Sequence, residues 1–401
     1  MGFGNAVGFM SRGISSDLQF RVLDTAEDIA LAGPAWRALE QSCATRLNYF
    51  QTFGWCRAWV EAFPDSAIPR VVTAWRGKDL VAVWPLMIIE AAGLTSMMPL
   101  GSPLAQYCDL ILDPAHMGQA DVEALVAEAL QPGLCDVAEI GDIPATSPLA
   151  SALALREGIV AGRPDSSFVF DLSAFESGDE YAASLGKRQR SRRARRRRAI
   201  AKEHGEVGFE VIFPGHRDFI SLLRRAIAMK RVWLAETGRM HAGLLAPGTD
   251  SFFAGLPGSE KEREGAMLSV LSAGGKPIAI ELGFLRAGHY YAYLGAFDWS
   301  LRHLSPGKVQ MESTVYWLIE HGIEAYDLLT NAADYKESWS NRSENLVTFA
   351  QPFSWKGRIY AEAWMPTLRP IIKRMYYAVP GSIRRWMTGL QAACAVLLLL
   401  P

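Results

Sequence analysis

Cysteine is scarce in this chain of 401 residues. There are five, at positions 43, 56, 108, 135 and 394, and no two have C-x-x-C spacing. An odd, scattered set excludes a disulfide framework, argues against a structural zinc site and fits a reducing compartment. The seven histidines are scattered singly, with no H-x-x-x-H or H-E pair, so no metal is expected. No G-x-S-x-G run supports a serine nucleophile. Long apolar runs are missing too. The uncharged stretch from Trp386 to Leu400 has 15 residues, short of the ~20 that a spanning helix needs. The N-terminus has no basic residue ahead of its apolar positions and does not read as a signal peptide. Ala6 stands where a myristoylation signal wants Ser or Thr. No repeat of 20 to 50 residues is visible, which excludes a solenoid.

What is present is a globular chain. Half of its residues are hydrophobic, ample for sizeable cores, and at ~150 residues per domain the length fits two or three units. The net charge of −1 hides an asymmetry. From Lys187 to Lys202 there are ten Lys or Arg in sixteen residues and no acid; without them the rest of the chain falls from −1 to −11. Ten cations in an isolated helix repel one another, so the segment requires an anionic partner. Three compete: the acidic body of the protein, an anionic membrane or polysaccharide, and nucleic acid. The segment has no aromatic residue on which bases could stack, which weakens the single-stranded RNA reading.

The hydrophobic pattern predicts a mixed α/β (α+β) fold in two halves. In the first, Leu18–Leu23 reads as a strand and Glu27–Ser42 as a helix. Pro69–Trp75 and Leu80–Ile89 are strands joined by the turn Arg76-Gly77-Lys78-Asp79. Tyr107–Leu112 is a further strand, on which Tyr107 and Asp109 share a face; they border an acceptor cleft or belong to the core. Gly162–Ser167 reads as a linker. The basic helix follows, with Ser177 and Asp179 as N-cap candidates and Gly205 as its stop. Then come strand Val207–Phe213, helix Asp218–Glu236, strands Ala266–Ser272, Pro277–Leu285 and His289–Phe297, a helix from Gly307 to about Glu320, and strand Ala325–Leu329. The helical crossover favours parallel pairing of the last strand with His289–Phe297, leaving one junction that can splay open. The units are therefore 1–16, a disordered N-terminus; 17–165; 166–355; and 356–401. The last unit holds C-terminal helices whose Lys373, Arg374, Tyr376 and Tyr377 suit an anionic membrane surface or packing on the protein. The chain reads as cytoplasmic, with that segment at the inner membrane.

Between the strand His289–Phe297 and the next helix lies Arg302-His303-Leu304-Ser305-Pro306-Gly307-Lys308-Val309. Ser305 is a natural N-cap and Pro306 suits the first helical position. Gly307 admits a ligand close to the backbone. The free N–H groups of the first turn, the helix dipole and Lys308 make a seat for a pyrophosphate. Ser-Pro-Gly also starts many helices that bind nothing.

This arrangement resembles the acyl-CoA-binding core of the GNAT acyltransferases, whose signature is Q/R-x-x-G-x-G/A; here Ser305 replaces the first glycine. The chain is similar in particular to the BioF2-like, CelD-type acetyltransferases of bacterial cellulose and exopolysaccharide loci. Four segments carry that likeness: Phe50-Gln51-Thr52-Phe53-Gly54-Trp55, the basic helix, Ser305-Pro306-Gly307-Lys308, and Tyr326-Asp327-Leu328-Leu329 with Asp334-Tyr335-Lys336-Glu337-Ser338-Trp339. The resemblance implies tandem GNAT-like domains, each a mostly antiparallel sheet flanked by helices, as in the FemAB-type aminoacyltransferases. It implies acetyl-CoA or another acyl-CoA as co-substrate, held by Arg302, Ser305, Pro306, Gly307, Lys308 and Val309, and an amine or hydroxyl acceptor.

An amine attacking a thioester needs positioning, a base and oxyanion stabilisation. Glu281 sits inside the apolar strand Pro277–Leu285, where burial would raise its pKa into a useful range, unless it faces solvent. Tyr335 and Lys336 follow the last strand, where GNATs place a catalytic Tyr, and Asp298 follows the central strand. Backbone N–H groups of His289–Phe297 could polarise the carbonyl. Two rival readings keep the fold. One is a FemAB-like enzyme fed by aminoacyl-tRNA, whose phosphates the basic helix would meet. The other is an inactive scaffold that binds a membrane-associated polysaccharide synthase.

Overall fold

The computed structural model describes residues 17–43, 48–239, 241–330, 334–380 and 383–384, with Asp334 and Tyr335 described in backbone only. The expected disordered segment 1–16 and the uncharged run 386–400 lie outside the described residues. The expected mixed α/β class is observed, with one difference: the two sheets are joined into a single sheet of 15 strands.

Each half is built on one plan. In the first, Ile68–Arg76, Asp79–Ala91 and Leu94–Pro99 form an antiparallel meander, with Leu18–Leu23 antiparallel at its outer edge. The helix Gln119–Ala129 then crosses over, and Val137–Pro144 returns parallel to Leu94–Pro99. In the second, Val207–Ile212 flanks the meander Glu264–Ala273, Lys276–Arg286, His289–Phe297. The helix Pro306–Glu320 crosses over, and Ala325–Asp327 returns parallel to His289–Phe297. Short turns demand antiparallel neighbours and a helical connection permits a parallel one, so local sequence dictates most of this pairing.

The join between the halves is a strand exchange. Asp165–Asp171 leaves the first half and pairs antiparallel with Ala325–Asp327 of the second. Arg342–Pro352, the last strand, crosses back and pairs antiparallel with Val137–Pro144. The two exchanged strands pair with each other at the centre. Each therefore covers an edge that would otherwise present unpaired N–H and C=O groups.

An aromatic core fills the angle between the halves. Tyr49 stacks on Phe284 at 4.5 Å, and Phe50, Trp55, Phe252 and Tyr291 surround the pair. This is what Phe50–Trp55 does here: Thr52 caps the helix Phe53–Ala62 by accepting from the Trp55 N–H, and Trp55 is fully buried. Arg286, buried in the second half, donates to Asn48 of the first at 2.6 Å and pairs with Glu264 at 3.0 Å.

Two sequence expectations are corrected. Ser177 caps a separate short helix, Gly178–Ser184, which ends before the basic helix Lys187–His204 begins. Lys187 and Arg188 in a first turn oppose the helix dipole, and extended backbone at Leu185 and Gly186 makes the break. Tyr107–Leu112 is a strand only at Ile111–Leu112, because the Tyr107 carbonyl is taken by the Gln51 side chain.

Candidate functional site

The parallel pairing in the second half is short. It stops after Tyr291 opposite Asp327, while the central strand runs on to Phe297, held on its other edge by Lys276–Arg286. Beyond Asp327 the chain turns away through Leu329, whose φ is 63°. A cavity of about 240 Å³ opens between Ala292–Gly295 and Leu328–Thr330. Among the described residues the strand edge facing it has no strand partner beyond Tyr291. A bulge at Tyr293 re-aims this part of the strand, since Leu282 faces Leu294 but Gly283 faces Ala292.

Glu281 lines the cavity and is 5% exposed. Its carboxylate accepts from the Tyr290 hydroxyl at 2.9 Å and the Tyr326 hydroxyl at 3.2 Å. Burial pushes its pKa up to about 7, against the lowering effect of those hydrogen bonds. Two glycines make this arrangement. Gly295 stands directly across from Glu281 and leaves the carboxylate uncovered; a Cβ there would lie 3.5 Å from Oε2. Gly283 leaves room for the Tyr290 ring, whose hydroxyl would clash with any Cβ at that position.

Lys336 also lines the cavity and donates to the carbonyls of Leu329, at 3.5 Å, and Thr330. Burial lowers its pKa to about 8. The structure thus brings together Glu281 and Lys336, 55 residues apart in sequence. It does not bring in Asp298, which accepts from the N–H and hydroxyl of Ser300 and caps the turn Trp299–Leu304, away from the cavity lining. The Tyr335 side chain lies outside the described residues. Tyr107 and Asp109 do not line the cavity either. Tyr107 is buried and donates to Asp327 at 2.6 Å, while His289 meets the same carboxylate oxygen at 2.9 Å.

Sequence reasoning missed Lys230 and His241. Lys230 lines the cavity from the helix Phe219–Thr237 and donates to the Gly295 carbonyl at 3.1 Å. Burial, reinforced by the charge of Arg239, lowers its pKa to about 8. A signal existed: positions 223, 227 and 234 form the buried stripe of that helix, and 230 is the helical position that completes it. His241 accepts from the Leu244 N–H at 3.3 Å, and burial beside Lys230 pushes its pKa down to about 4.

The loop after the central strand has a left-handed kink. Ser305 adopts φ 55° and ψ 51°, and its side chain makes no cap hydrogen bond. The expected N-cap bond is absent because that backbone turns the hydroxyl away from the helix; a glycine at this position would be free of strain. Pro306 is the first helical residue. Arg302 lies over the Trp299 ring, exposed. Val309 is buried in a cluster with Ile200 of the basic helix. Lys308 is exposed and lines a groove of about 460 Å³ together with Arg192, Arg193, Arg196 and Trp339.

Of the ten cations of the basic helix, only Arg193 has a carboxylate partner among the described residues, Glu312 at 3.3 Å. Arg193 also donates to the Tyr181 hydroxyl and lies over the Trp339 ring. Glu312 also feels the charges of Arg196 and Arg197, so among the described residues the acidic body of the protein meets this helix mainly at that one carboxylate.

Residues 187–337 match the acetyltransferase (GNAT) domain family. Among solved structures, the chain is similar to FemX with a TM-score of 0.54 and 12% identity, over 85% of this chain and 98% of FemX. It also aligns with the C-terminal domain of a putative lysylphosphatidylglycerol synthetase from Agrobacterium fabrum, at TM-score 0.49 and 15% identity, over 84% and 95%. A tandem GNAT protein from the clavulanic acid biosynthesis pathway aligns at TM-score 0.42 and 10% identity, over 84% and 99%. No curated protein sequence matches the chain. The matched domain opens with the basic helix and closes just past Lys336, so residues 187–337 carry an acetyltransferase (GNAT) domain match, and the chain as a whole shares its fold with FemX.

Proposed function

We propose that the chain transfers an acyl group from acyl-CoA, acetyl-CoA in the simplest case, to an amine, or failing that a hydroxyl, with Glu281 as general base. The observation that supports this most is the cleft itself: a carboxylate with a raised pKa faces the unpaired edge of a splayed strand. Glu281 takes a proton from the ammonium of the acceptor, the amine nitrogen bonds to the thioester carbon, and the C–S bond breaks as the nitrogen releases its second proton to solvent. N–H groups on Ala292–Gly295 are the donors for the oxyanion. Lys336, in the cleft, and Tyr335, beside it in sequence, are candidates to protonate the departing thiolate. Asp298 has no part in this reading. Arg302, Ser305, Pro306, Gly307 and Lys308 would hold the pyrophosphate at the helix N-terminus, with Val309 anchoring the turn from below.

Acetyl-CoA is expected to raise the melting temperature of the protein, and Gly307→Glu to remove that shift. No shift with any acyl-CoA, from acetyl to long-chain, would sink the CoA reading. The alternative donor, aminoacyl-tRNA, is favoured by one observation: Lys308 shares its groove with Arg192, Arg193 and Arg196, on a helix whose cations otherwise lack carboxylate partners. Salt-sensitive tRNA binding that disappears when Arg195–Arg198 are neutralised would select it.

The likeness of four segments to CelD-type acetyltransferases supports an acceptor in exopolysaccharide or cellulose assembly, with a polysaccharide synthase as neighbour. The C-terminal helices support a place at the cytoplasmic face of the inner membrane. Among the described residues, seven of the 13 exposed large apolar side chains, Trp355 and Met375 among them, lie from Trp355 to Ile383, interleaved with Lys356, Arg358, Lys373 and Arg374. No helix among the described residues is long and apolar enough to cross a membrane.

A further inference from the structure

The cleft holds more positive charge than its own acids balance. Lys230 and Lys336 both line it, and Glu281 is the single carboxylate lining it among the described residues. Glu281 is engaged by two tyrosine hydroxyls rather than by either lysine. Asp327, behind the cleft, already accepts from Tyr107 and the Leu329 N–H and meets His289. The hydrogen bonds of the two ammonium groups go to main-chain carbonyls, of Gly295 for Lys230 and of Leu329 and Thr330 for Lys336.

A carbonyl satisfies one donor of an ammonium but does not neutralise it, and each ammonium carries three donors. Glu281 attracts Lys230, and Asp327 and Asp165 attract Lys336, only at longer range, and two half-buried cations without a carboxylate in hydrogen-bond contact among the described residues are costly to the fold. The burial that lowers each pKa to about 8 still leaves both charged at pH 7. His241 is held neutral beside them, and Arg239 adds to the positive field at Lys230. Among the described residues the cleft carries more positive charge than Glu281 balances, and the arrangement is complementary to an anion.

We propose that Lys230 and Lys336 together bind a carboxylate or phosphate group of a substrate, so that the enzyme takes an anionic reaction partner in this cleft. The proposal deepens the acyl-transfer reading and rests on it for the identity of the cleft. The anion has two sources: the far end of the acyl group, as in a dicarboxylic acyl-CoA, or a carboxylate or phosphate on the acceptor.

The first measurement needs no acyl donor. The protein is labelled with an amine-reactive acetylating reagent, with and without saturating inorganic phosphate, and the labelling rate at each lysine is read by peptide mass spectrometry. At Lys230 and Lys336 phosphate is expected to slow labelling by about tenfold or more, with the exposed Lys276 as internal reference. Rates at both residues that stay within about twofold overturn the proposal. Protection without a thermal shift from any acyl-CoA leaves the anion site standing and removes the CoA reading.

The second measurement assigns the source. Succinyl-CoA binding at least about tenfold tighter than acetyl-CoA places the anion on the donor. A similar preference in kcat/KM for glucosamine 6-phosphate over glucosamine places it on the acceptor. Either preference must collapse towards one in both Lys230→Gln and Lys336→Gln; a preference that survives in both variants overturns the assignment to these lysines.

Discussion

The two halves of the molecule carry the same plan and put it to different use. In the first, the middle strand of the meander, Asp79–Ala91, has no titratable side chain between Asp79 and Glu90. The segment after Leu94–Pro99 folds back onto the sheet, burying Leu100, Leu104, Tyr107 and Leu110, with the Cys108 N–H bonded to the Asp142 carbonyl. In the second, the equivalent strand carries Glu281 at its centre, and the equivalent junction is the open cleft. A splayed strand pair is therefore a position in the fold, and the side chains around it decide whether it becomes core or site. The first half supplies the aromatic wall against which the second is set, Gln106, which lines the cleft and accepts from the Thr330 hydroxyl, and Tyr107, which reaches Asp327 behind it.

Four measurements on three variants would break or sharpen this contrast. The largest effect is expected from Glu281→Gln, which should lower kcat/KM by about 10²–10⁴-fold, the usual range for loss of a general base. In the native enzyme the rate should rise with pH through about 7 as Glu281 loses its proton; the variant should lose that limb. An unchanged pH profile would remove Glu281 from the mechanism. Next comes Gly295→Leu, which makes the open junction resemble the filled one. Turnover should fall by about 100-fold while the far-ultraviolet circular dichroism is retained, and a fully active variant would show that the cleft is not where the reaction occurs.

The third measurement concerns stability and has a definite sign. The folded-state pKa of Glu281 is raised, so the folded protein binds more protons than the unfolded chain between the ordinary value of 4.5 and about 7. Stability from this group falls as pH rises across that window. Glu281→Gln, less active, should thus gain stability relative to the native protein as pH rises, by roughly 3 kcal/mol at most for a shift of this size. Equal urea midpoint differences at pH 5 and pH 8 would contradict this. The smallest effect is expected at the seam between the halves. Tyr107→Phe removes one donor from a buried carboxylate and should cost about 1.5–3 kcal/mol in urea unfolding.

Much of this contrast was legible before the fold was known, and the parts that were not share a cause. Alternating apolar runs and tight turns marked the strands, and a lone Glu in an apolar strand marked Glu281. Lys336 stood out through the segment that follows the last strand. Lys230 escaped because a lysine in a long amphipathic helix looks solvated until the buried stripe is phased. Asp298 looked well placed because it follows the central strand, yet its carboxylate is used locally to cap a turn. The strand exchange was invisible because sheet edges carry no local signal: Arg342–Pro352 meets Val137–Pro144 across some 200 residues of sequence. The break at Leu185–Gly186 was hidden by the run of good helix formers on either side.

That exchange also sets the order in which the molecule can be finished. During synthesis the first half emerges with the edge of Val137–Pro144 bare, and its partner leaves the ribosome only after the whole second half has been made. Until then the nascent chain exposes an unpaired, largely apolar edge, the kind of surface that chaperones hold and that wrong partners capture. A truncation before Arg342 would strand both halves incomplete, so the two units resemble two rooms sharing one lock rather than beads on a string. Pulse-labelled chains stalled at about residue 330 should be protease-sensitive in both halves, and resistance should appear in both at once when residues 342–352 clear the exit tunnel.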